Sequence, residues 1–443
     1  MSDFQEEYLR RHPGSGKLFD QASGVTPGGV SHNLRFFRPY PLFVESASGN
    51  RLWDVDGTEY VDYWMGHFAL LLGHNPEPVV SALRDQLDHG LQWGVVNPLE
   101  VQLAERVRRH VPCAERVRFC NTGAEATMYA ARTARGFTGR TKVLKATGGW
   151  HGYSTDLLGA VHPPFEAPAS LGLPAPFEDT VGTFSFNDTE GATEAIRQAE
   201  DLAAVIVEPV LGAGGGIPPE PGFLEALREE TETKDALLIF DEIITGFRLG
   251  LGGAQAHYGV TPDMVTLGKV LGGGLAVGAL AGTEEVMEWT SVTGPKRDGI
   301  RVSVGGGTFS CNPMSMRAGL ATLEYLEAHP DGYERIGHMG EALRTQAREV
   351  LAAQGASAVV TGLESLFQIH FLKEETVSLR SAEDVHRYTD PSRATEEFKV
   401  RMLNEGVHTM HGGGCLSFVH SDADVRGFLE ALSMVASAMG GDA

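Results

Sequence analysis

No apolar run of this chain is long enough to span a membrane. Its first residues, Met1-Ser2-Asp3-Phe4-Gln5-Glu6-Glu7, have neither the basic nor the apolar region of a secretion signal. Both absences predict a cytoplasmic protein. Cysteine is scarce. The four residues Cys113, Cys120, Cys311 and Cys415 are scattered without paired spacing, which argues against a disulfide framework and predicts reduced thiols. Positive charge is also scarce: 36 Lys and Arg stand against 58 Asp and Glu, a net charge of −22. Such a surface argues against nucleic acid or an anionic membrane as partner. It is compatible with a high-salt host and equally with an acidic enzyme from a GC-rich genome. Nucleotide loops are missing too. There is no P-loop spacing, and Gly214-Gly215-Gly216 runs into Ile217-Pro218-Pro219 instead of opening a helix. His370, His408, His411 and His420 crowd the C-terminal part, but their spacing matches no ligand motif, and no metal is expected. Repeats and low-complexity tracts are absent.

The 443 residues, 42% of them apolar, suffice for one large domain and a smaller one. Residues 1–74 read as an N-terminal segment with a strand meander. Its runs are Leu42-Phe43-Val44-Glu45, Arg51-Leu52-Trp53-Asp54-Val55 and Tyr60-Val61-Asp62-Tyr63, and Asp56-Gly57 between the last two is a hairpin signal. Residues 75–325 alternate helical patterns with apolar strands at 116–120, 142–145, 203–207, 237–240 and 264–267, which predicts a mainly parallel sheet covered on both faces. A long helix over 313–328 leads out of that domain. Residues 326–443 read as a smaller α+β domain, to which the N-terminal segment also belongs.

In an open α/β sheet, ligands bind beyond the carboxyl ends of the strands, so the residues that follow each strand are the candidate site. They are Asn121-Thr122-Gly123-Ala124-Glu125, Gly149-Trp150-His151, Glu208-Pro209, Asp241-Glu242 and Gly268-Lys269. Thr122, Gly123 and Ala124 open a helix whose free N–H groups suit a phosphate; Thr122 also reads as an ordinary N-cap with Glu125 as its capping box, and both readings can hold together. Trp150 has the ring to stack on an aromatic cofactor, or to fill a core. Lys269 offers an amine for a Schiff base, and Asp241 an acid able to pair with a pyridinium nitrogen; together they form the minimum set for pyridoxal phosphate chemistry. Taken singly, each has a plain alternative: a surface Lys closing a strand, a capping carboxylate. Gly305-Gly306-Gly307-Thr308 is a second loop with a hydroxyl, readable as a linker or as a phosphate contact given to a neighbouring subunit.

Four segments carry a resemblance: Asn121–Ala126, Asp241-Glu242-Ile243-Ile244-Thr245-Gly246-Phe247-Arg248, Thr266–Gly274, and Gly307-Thr308-Phe309-Ser310-Cys311-Asn312-Pro313. They resemble the class-III aminotransferases of fold type I, most nearly the branch containing glutamate-1-semialdehyde aminomutase, over about Pro27 to Asp424. The resemblance implies a large domain built on a seven-stranded, mainly parallel sheet. It also implies pyridoxal 5'-phosphate as cofactor and a homodimer that shares its active sites. Lys269 would then carry the cofactor and move protons, while Asp241 would pair with the ring nitrogen. Thr122 and Gly123 would bind the phosphate, with Thr308 doing so from the partner subunit. Ala124, Trp150, His151, Glu208 and Ile244 would complete the cofactor contacts. Arg35, in Pro27-Gly28-Gly29-Val30-Ser31-His32-Asn33-Leu34-Arg35, matches an Arg that holds the substrate carboxylate.

The chain departs from the aminomutase pattern at the substrate side. Trp150 replaces Tyr, Ala213 replaces Asn, Gly412 stands where an acidic residue is usual, and Pro163-Pro164-Phe165 occupies part of a mobile gate. Trp150 and Gly412 thereby join Arg35 as expected substrate contacts. These changes leave the cofactor set intact and favour a transaminase acting between a carboxylate-bearing amino compound and a keto acid or aldehyde. The aminomutase is the first alternative, and a catalytically silent cofactor-fold binding protein the alternative from another class. A nucleotide-binding α/β protein is disfavoured because both nucleotide loops are missing.

Overall fold

Contacts divide this chain into two units, and one boundary falls inside a helix. The computed structural model describes residues 2–173, 179–373 and 378–440. One unit comprises Met1–Pro76, Arg335–Ser378 and Tyr388–Ala443, the other Glu77–Glu334 and Leu379–Arg387.

The first unit opens with helices Asp3–Arg11 and Pro13–Ser23, then strands β1 (Val44–Ser48), β2 (Arg51–Asp54) and β3 (Glu59–Asp62). The turn at Asp56-Gly57 joins β2 and β3 as an antiparallel pair, with Gly57 at φ +83 where only glycine is at ease. Residues 42 and 43, expected in the first strand, precede it; β1 starts at Val44.

The second unit carries β4 (Arg116–Cys120), β5 (Lys142–Ala146), β6 (Val181–Phe184), β7 (Leu202–Val207), β8 (Leu237–Glu242), β9 (Met264–Leu267) and β10 (Gly278–Gly282). They form one seven-stranded sheet in the order β4-β10-β9-β8-β7-β5-β6. The run β9-β8-β7-β5-β6 is parallel, and β10 is antiparallel to both β4 and β9. Every residue of β7, β8, β9 and β10 is buried, as expected of strands covered on both faces. Helix Gly123–Thr138 packs its alanine face (Ala126, Ala130, Ala134) into the core with Ile206, Ile239 and Leu280.

The chain returns to the first unit through helix Asp331–Ala353, whose start still belongs to the second. There β11 (Ala358–Thr361), β12 (Leu366–Phe371) and β14 (Gly413–Cys415) form an antiparallel sheet, while β13 (Val407–His408) runs parallel to β3. The crowded histidines are spent on internal bonds here. His408 Nδ1 bonds Asp62 Oδ1 at 2.9 Å, His420 Nδ1 lies 2.8 Å from Ser417 Oγ, and His370 Nε2 lies 3.1 Å from Thr361 Oγ1. Among the described residues, no helix is long and apolar enough to cross a membrane.

Gly278 ties the sheet to the site. It pairs with Cys120 at the end of β4, and a Cβ there would press into the Thr122 carbonyl and the Cys120 sulfur. Gly278→Ala is expected to cost about 1–3 kcal/mol of stability through overpacking and to loosen the loop after β4. Denaturation midpoints, together with the pyridoxal content of the purified variant, check this.

Candidate active site

The parallel strands deliver their following residues to one edge of the second unit's sheet. The last two residues of β8 are Asp241 and Glu242, both buried. Strand register sets Thr266 of β9 opposite Asp241, and Thr266 Oγ1 donates to Asp241 Oδ1 at 2.9 Å. The Ile243 N–H adds a 3.2 Å bond to the same oxygen. From the loop after β5, His151 Nδ1 reaches Asp241 Oδ2 at 2.7 Å. Burial pushes the His151 imidazole down from its ordinary value, against the pull of Asp241. A neutral ring must donate from Nδ1, which leaves the buried Nε2 as an acceptor without a partner among the described residues.

Glu208 follows β7 and is buried beside this group. Its Oε1 accepts the Trp150 N–H at 2.8 Å and its Oε2 the Gly212 N–H at 3.2 Å. Trp150 is half-buried, its ring edge-on to Tyr153 at 4.7 Å. Ile244, also half-buried, stands against the same loop, where a Cβ on Gly212 would collide with its Cδ1.

Lys269 comes two residues after β9 with φ +45, a left-handed backbone that costs a non-glycine residue about 1–3 kcal/mol and is typical of functional positions. Burial lowers the Lys269 amine from its ordinary value, while Asp241 and Glu208 act to raise it. Both carboxylates therefore lie close enough to feel its charge.

After β4 the helix Gly123–Thr138 begins. Thr122 Oγ1 accepts Glu125 N–H at 3.1 Å, and Glu125 Oε2 accepts the N–H groups of Asn121 at 2.7 Å and Thr122 at 3.1 Å. The capping box is thus real. It still leaves the N–H groups of Gly123 and Ala124, and the Thr122 hydroxyl proton, without a partner among the described residues. Cap and anion cradle coexist at this helix start.

Two features escaped the sequence. Thr266 looked like one more strand residue, and only its register opposite Asp241 reveals its bond. Lys145 looked like the polar end of a strand, yet it is buried and its Nζ donates to the carbonyls of Gly149, Leu157 and Gly159 at 2.7, 3.2 and 2.9 Å. Thr308 is exposed, and its carbonyl accepts from Gln92 Nε2 at 2.5 Å. Arg35 and Gly412 belong to the first unit. Arg35 is exposed; Gly412 is buried at φ +87, and a Cβ there would stand 2.8 Å from the Ile369 carbonyl oxygen.

The donor set fits pyridoxal phosphate. Asp241 Oδ2 accepts one bond and keeps a lone pair for a protonated ring nitrogen, Lys269 supplies the amine, and the helix start supplies N–H groups for a dianion.

Glu208 yields a pH-dependent test. Burial, and after it the Asp241 charge, pushes its carboxyl from 4.5 up to about 8. The folded protein holds this proton more tightly than the unfolded chain. The stabilisation is complete below the unfolded value and is lost as pH rises through the folded one. Freed of cofactor, the protein should lose stability between about pH 5 and about pH 8, and Glu208→Gln should flatten that slope. Chemical denaturation across this range decides it; an unchanged slope in the variant would remove Glu208 as its source.

Comparisons with known proteins give the family. The family model "Aminotransferase class-III" matches residues 36–434. The glutamate-1-semialdehyde 2,1-aminomutase of Methanosarcina acetivorans is 40% identical over 428 residues, covering 94% of this chain and 97% of that protein. Among solved structures, an omega-transaminase from Sphaerobacter thermophilus superposes with a TM-score of 0.89 at 32% identity, covering 98% of this chain and 99% of that one. A transaminase with PLP bound gives a TM-score of 0.87 at 31% identity, covering 97% and 99%. An acid, an amine and an anion cradle gathered at one sheet edge are thus met by a match along nearly the whole sequence, and the chain belongs to the class-III aminotransferases, enzymes that work with pyridoxal phosphate.

Proposed function

We propose that this enzyme moves an amino group within a single substrate, converting glutamate-1-semialdehyde to 5-aminolevulinate. The observation that supports this is the 40% identity with a glutamate-1-semialdehyde 2,1-aminomutase over nearly the full length of both chains. It reverses the preference for a transaminase drawn from Ala213, Gly412 and the Pro163-Pro164-Phe165 segment.

Pyridoxal phosphate supplies a ring that draws electrons from the substrate carbon bonded to nitrogen. The chain's own residues do the rest. Lys269 Nζ, its pKa lowered by burial, takes a proton from the substrate carbon and returns one. Asp241, held by Thr266 and His151, keeps a proton on the ring nitrogen. Thr122, Gly123 and Ala124 bind the phosphate, Trp150 packs against the ring, and Arg35 takes the substrate carboxylate as a charge-assisted pair.

A second reading, amino transfer between two separate molecules, draws on the residues at 213 and 412. An aminomutase must retain a diamine, and neither Ala213 nor Gly412 offers a polar side chain to grip it. At 412 there is also no room for one without displacing the Ile369 carbonyl. The two readings part in one experiment. Glutamate-1-semialdehyde offered alone should be turned over to 5-aminolevulinate with no keto acid released, and Lys269→Ala should abolish this. Turnover of a separate donor and acceptor, with keto acid released and the semialdehyde left unconverted, would establish the second reading.

The assembly we infer is a homodimer. Leu91, Trp93, Val95 and Val96 are exposed, Val96 at 86%, and form a surface strip rich in apolar side chains. Asn97 Nδ2 bonds the Cys311 carbonyl at 2.9 Å and Gln92 Nε2 the Thr308 carbonyl, so this strip lies beside the exposed Phe309 and Thr308. A second copy covering the strip would receive the Thr308 hydroxyl as a phosphate contact. Light scattering should give twice the chain mass, and Val96→Glu should lower it toward the monomer and weaken cofactor retention. A wild-type mass equal to one chain would end this inference.

A further inference from the structure

Arg35 stands on a short 3-10 turn, Asn33–Arg35, in the first unit. Its guanidinium has no carboxylate partner among the described residues; its polar contact is a long one, Nε to His67 Nε2 at 3.5 Å. Two strained backbone segments converge on this turn. The first is Met65–Phe68, four consecutive residues at φ +45, +59, +60 and +67. Three of the four are L-residues, each of which pays about 1–2 kcal/mol in this conformation, so something must hold the run. The buried Asp62 does. It accepts the N–H groups of Trp64 at 2.9 Å and Met65 at 3.1 Å, and it is itself held by His74 at 2.8 Å and His408 at 2.9 Å. These bonds outweigh the burial of Asp62 and keep its carboxyl well below the usual range. The product of the strain is His67, aimed at Arg35.

The second segment is the two-residue turn Met410–Gly413. Its ends exchange backbone bonds of 2.7 and 2.6 Å, and both central residues are left-handed, His411 at φ +42 and Gly412 at φ +87. Strand β12 backs the turn: Gln368 Nε2 donates to the His411 carbonyl at 2.9 Å and Ile369 N–H to the Gly412 carbonyl at 2.9 Å. Asn or Gly suits such a turn better than His. The imidazole makes one hydrogen bond among the described residues: Nε2 donates to the carbonyl of Leu34, next to Arg35, at 3.2 Å, while the buried Nδ1 has none. Burial, with the charge of Lys399 adding to it, lowers the His411 pKa to about 4, so the ring is neutral in ordinary buffers and this donor is constant.

We propose that His411 is a positioning residue for Arg35: its bond to the Leu34 carbonyl fixes the turn from which Arg35, braced by His67, presents its guanidinium to the substrate carboxylate. The proposal rests on the reading of Arg35 as the carboxylate anchor. It gives position 411, rather than position 412, the part in substrate recognition played by the C-terminal region.

The test uses the holoenzyme and compares 4-oxopentanoate with its uncharged methyl ester, by calorimetry. Wild type should favour the acid. His411→Asn keeps a residue at ease in the turn but shortens the reach to Leu34. It should weaken acid binding about fivefold, the scale of one modest hydrogen bond, and leave the ester and the melting temperature unchanged. His411→Gly should do the same. In turnover, KM for the carboxylate substrate should rise while kcat holds. Added to Arg35→Ala, His411→Asn should have no further effect, because both act through one group. Equal weakening of acid and ester, undiminished acid binding in both variants, or an additive loss on Arg35→Ala would overturn the positioning role while leaving Arg35 as the anchor. If Arg35→Ala keeps the preference for the acid, the anchor reading itself falls, and the role of His411 with it.

Discussion

A carboxylate kept charged inside a protein is costly unless donors surround it, and the arrangement around Asp241 answers that cost. Thr266 is brought opposite it by strand register, Ile243 by the turn that leaves β8, and His151 by the loop after β5. The Thr266 bond would be lost if β9 slipped by one residue, because the pleat would turn that side chain to the other face. The parallel sheet is therefore the device that assembles the acid, and the neighbouring strand ends bring Glu208 and Lys269 within reach of its charge.

Much of this edge was legible because it follows from periodicity. Buried parallel strands read as short apolar runs, and polar residues just after them have few other reasons to be there. Helix Pro313–Ala328, the capping box at Thr122 and Glu125 and the hairpin at Asp56-Gly57 were equally readable, since each is set by residues near in sequence. Strands β6 and β10 were not. Val181-Gly182-Thr183-Phe184 is short, and Gly278-Ala279-Leu280-Ala281-Gly282 lacks the branched and aromatic residues that mark a strand; Gly278 lies close against Cys120 of β4 and Gly282 against Met264 of β9. The return of Leu379–Arg387 to the larger unit depends on contacts distant in sequence, and periodicity carries no trace of it. The same holds for the left-handed run Met65–Phe68, where Gly66 alone hints at the conformation and the cause, Asp62, lies in the preceding strand.

Family and reaction are decided by different residues. The cofactor side depends on groups fixed by the sheet, and these are the ones that the motifs spell out. On the reading proposed above, the substrate side would draw on loops and turns such as Met410–Gly413, which lie outside the seven-stranded sheet. This is why the chain's membership of the class-III aminotransferases follows from its length-wide match, while the choice between shifting an amino group within one molecule and passing it to another turns on a few side chains.

Lys145 has a consequence of its own. Its ammonium sits among the main-chain oxygens of Gly149, Leu157 and Gly159, a coordination shell of the kind other proteins complete with a monovalent metal ion. Here the cation is tethered covalently to β5. It cannot be diluted away, displaced by sodium or outcompeted at high ionic strength. The segment that carries Trp150 and His151 therefore keeps its shape without depending on the ionic composition of the solution around this strongly acidic protein.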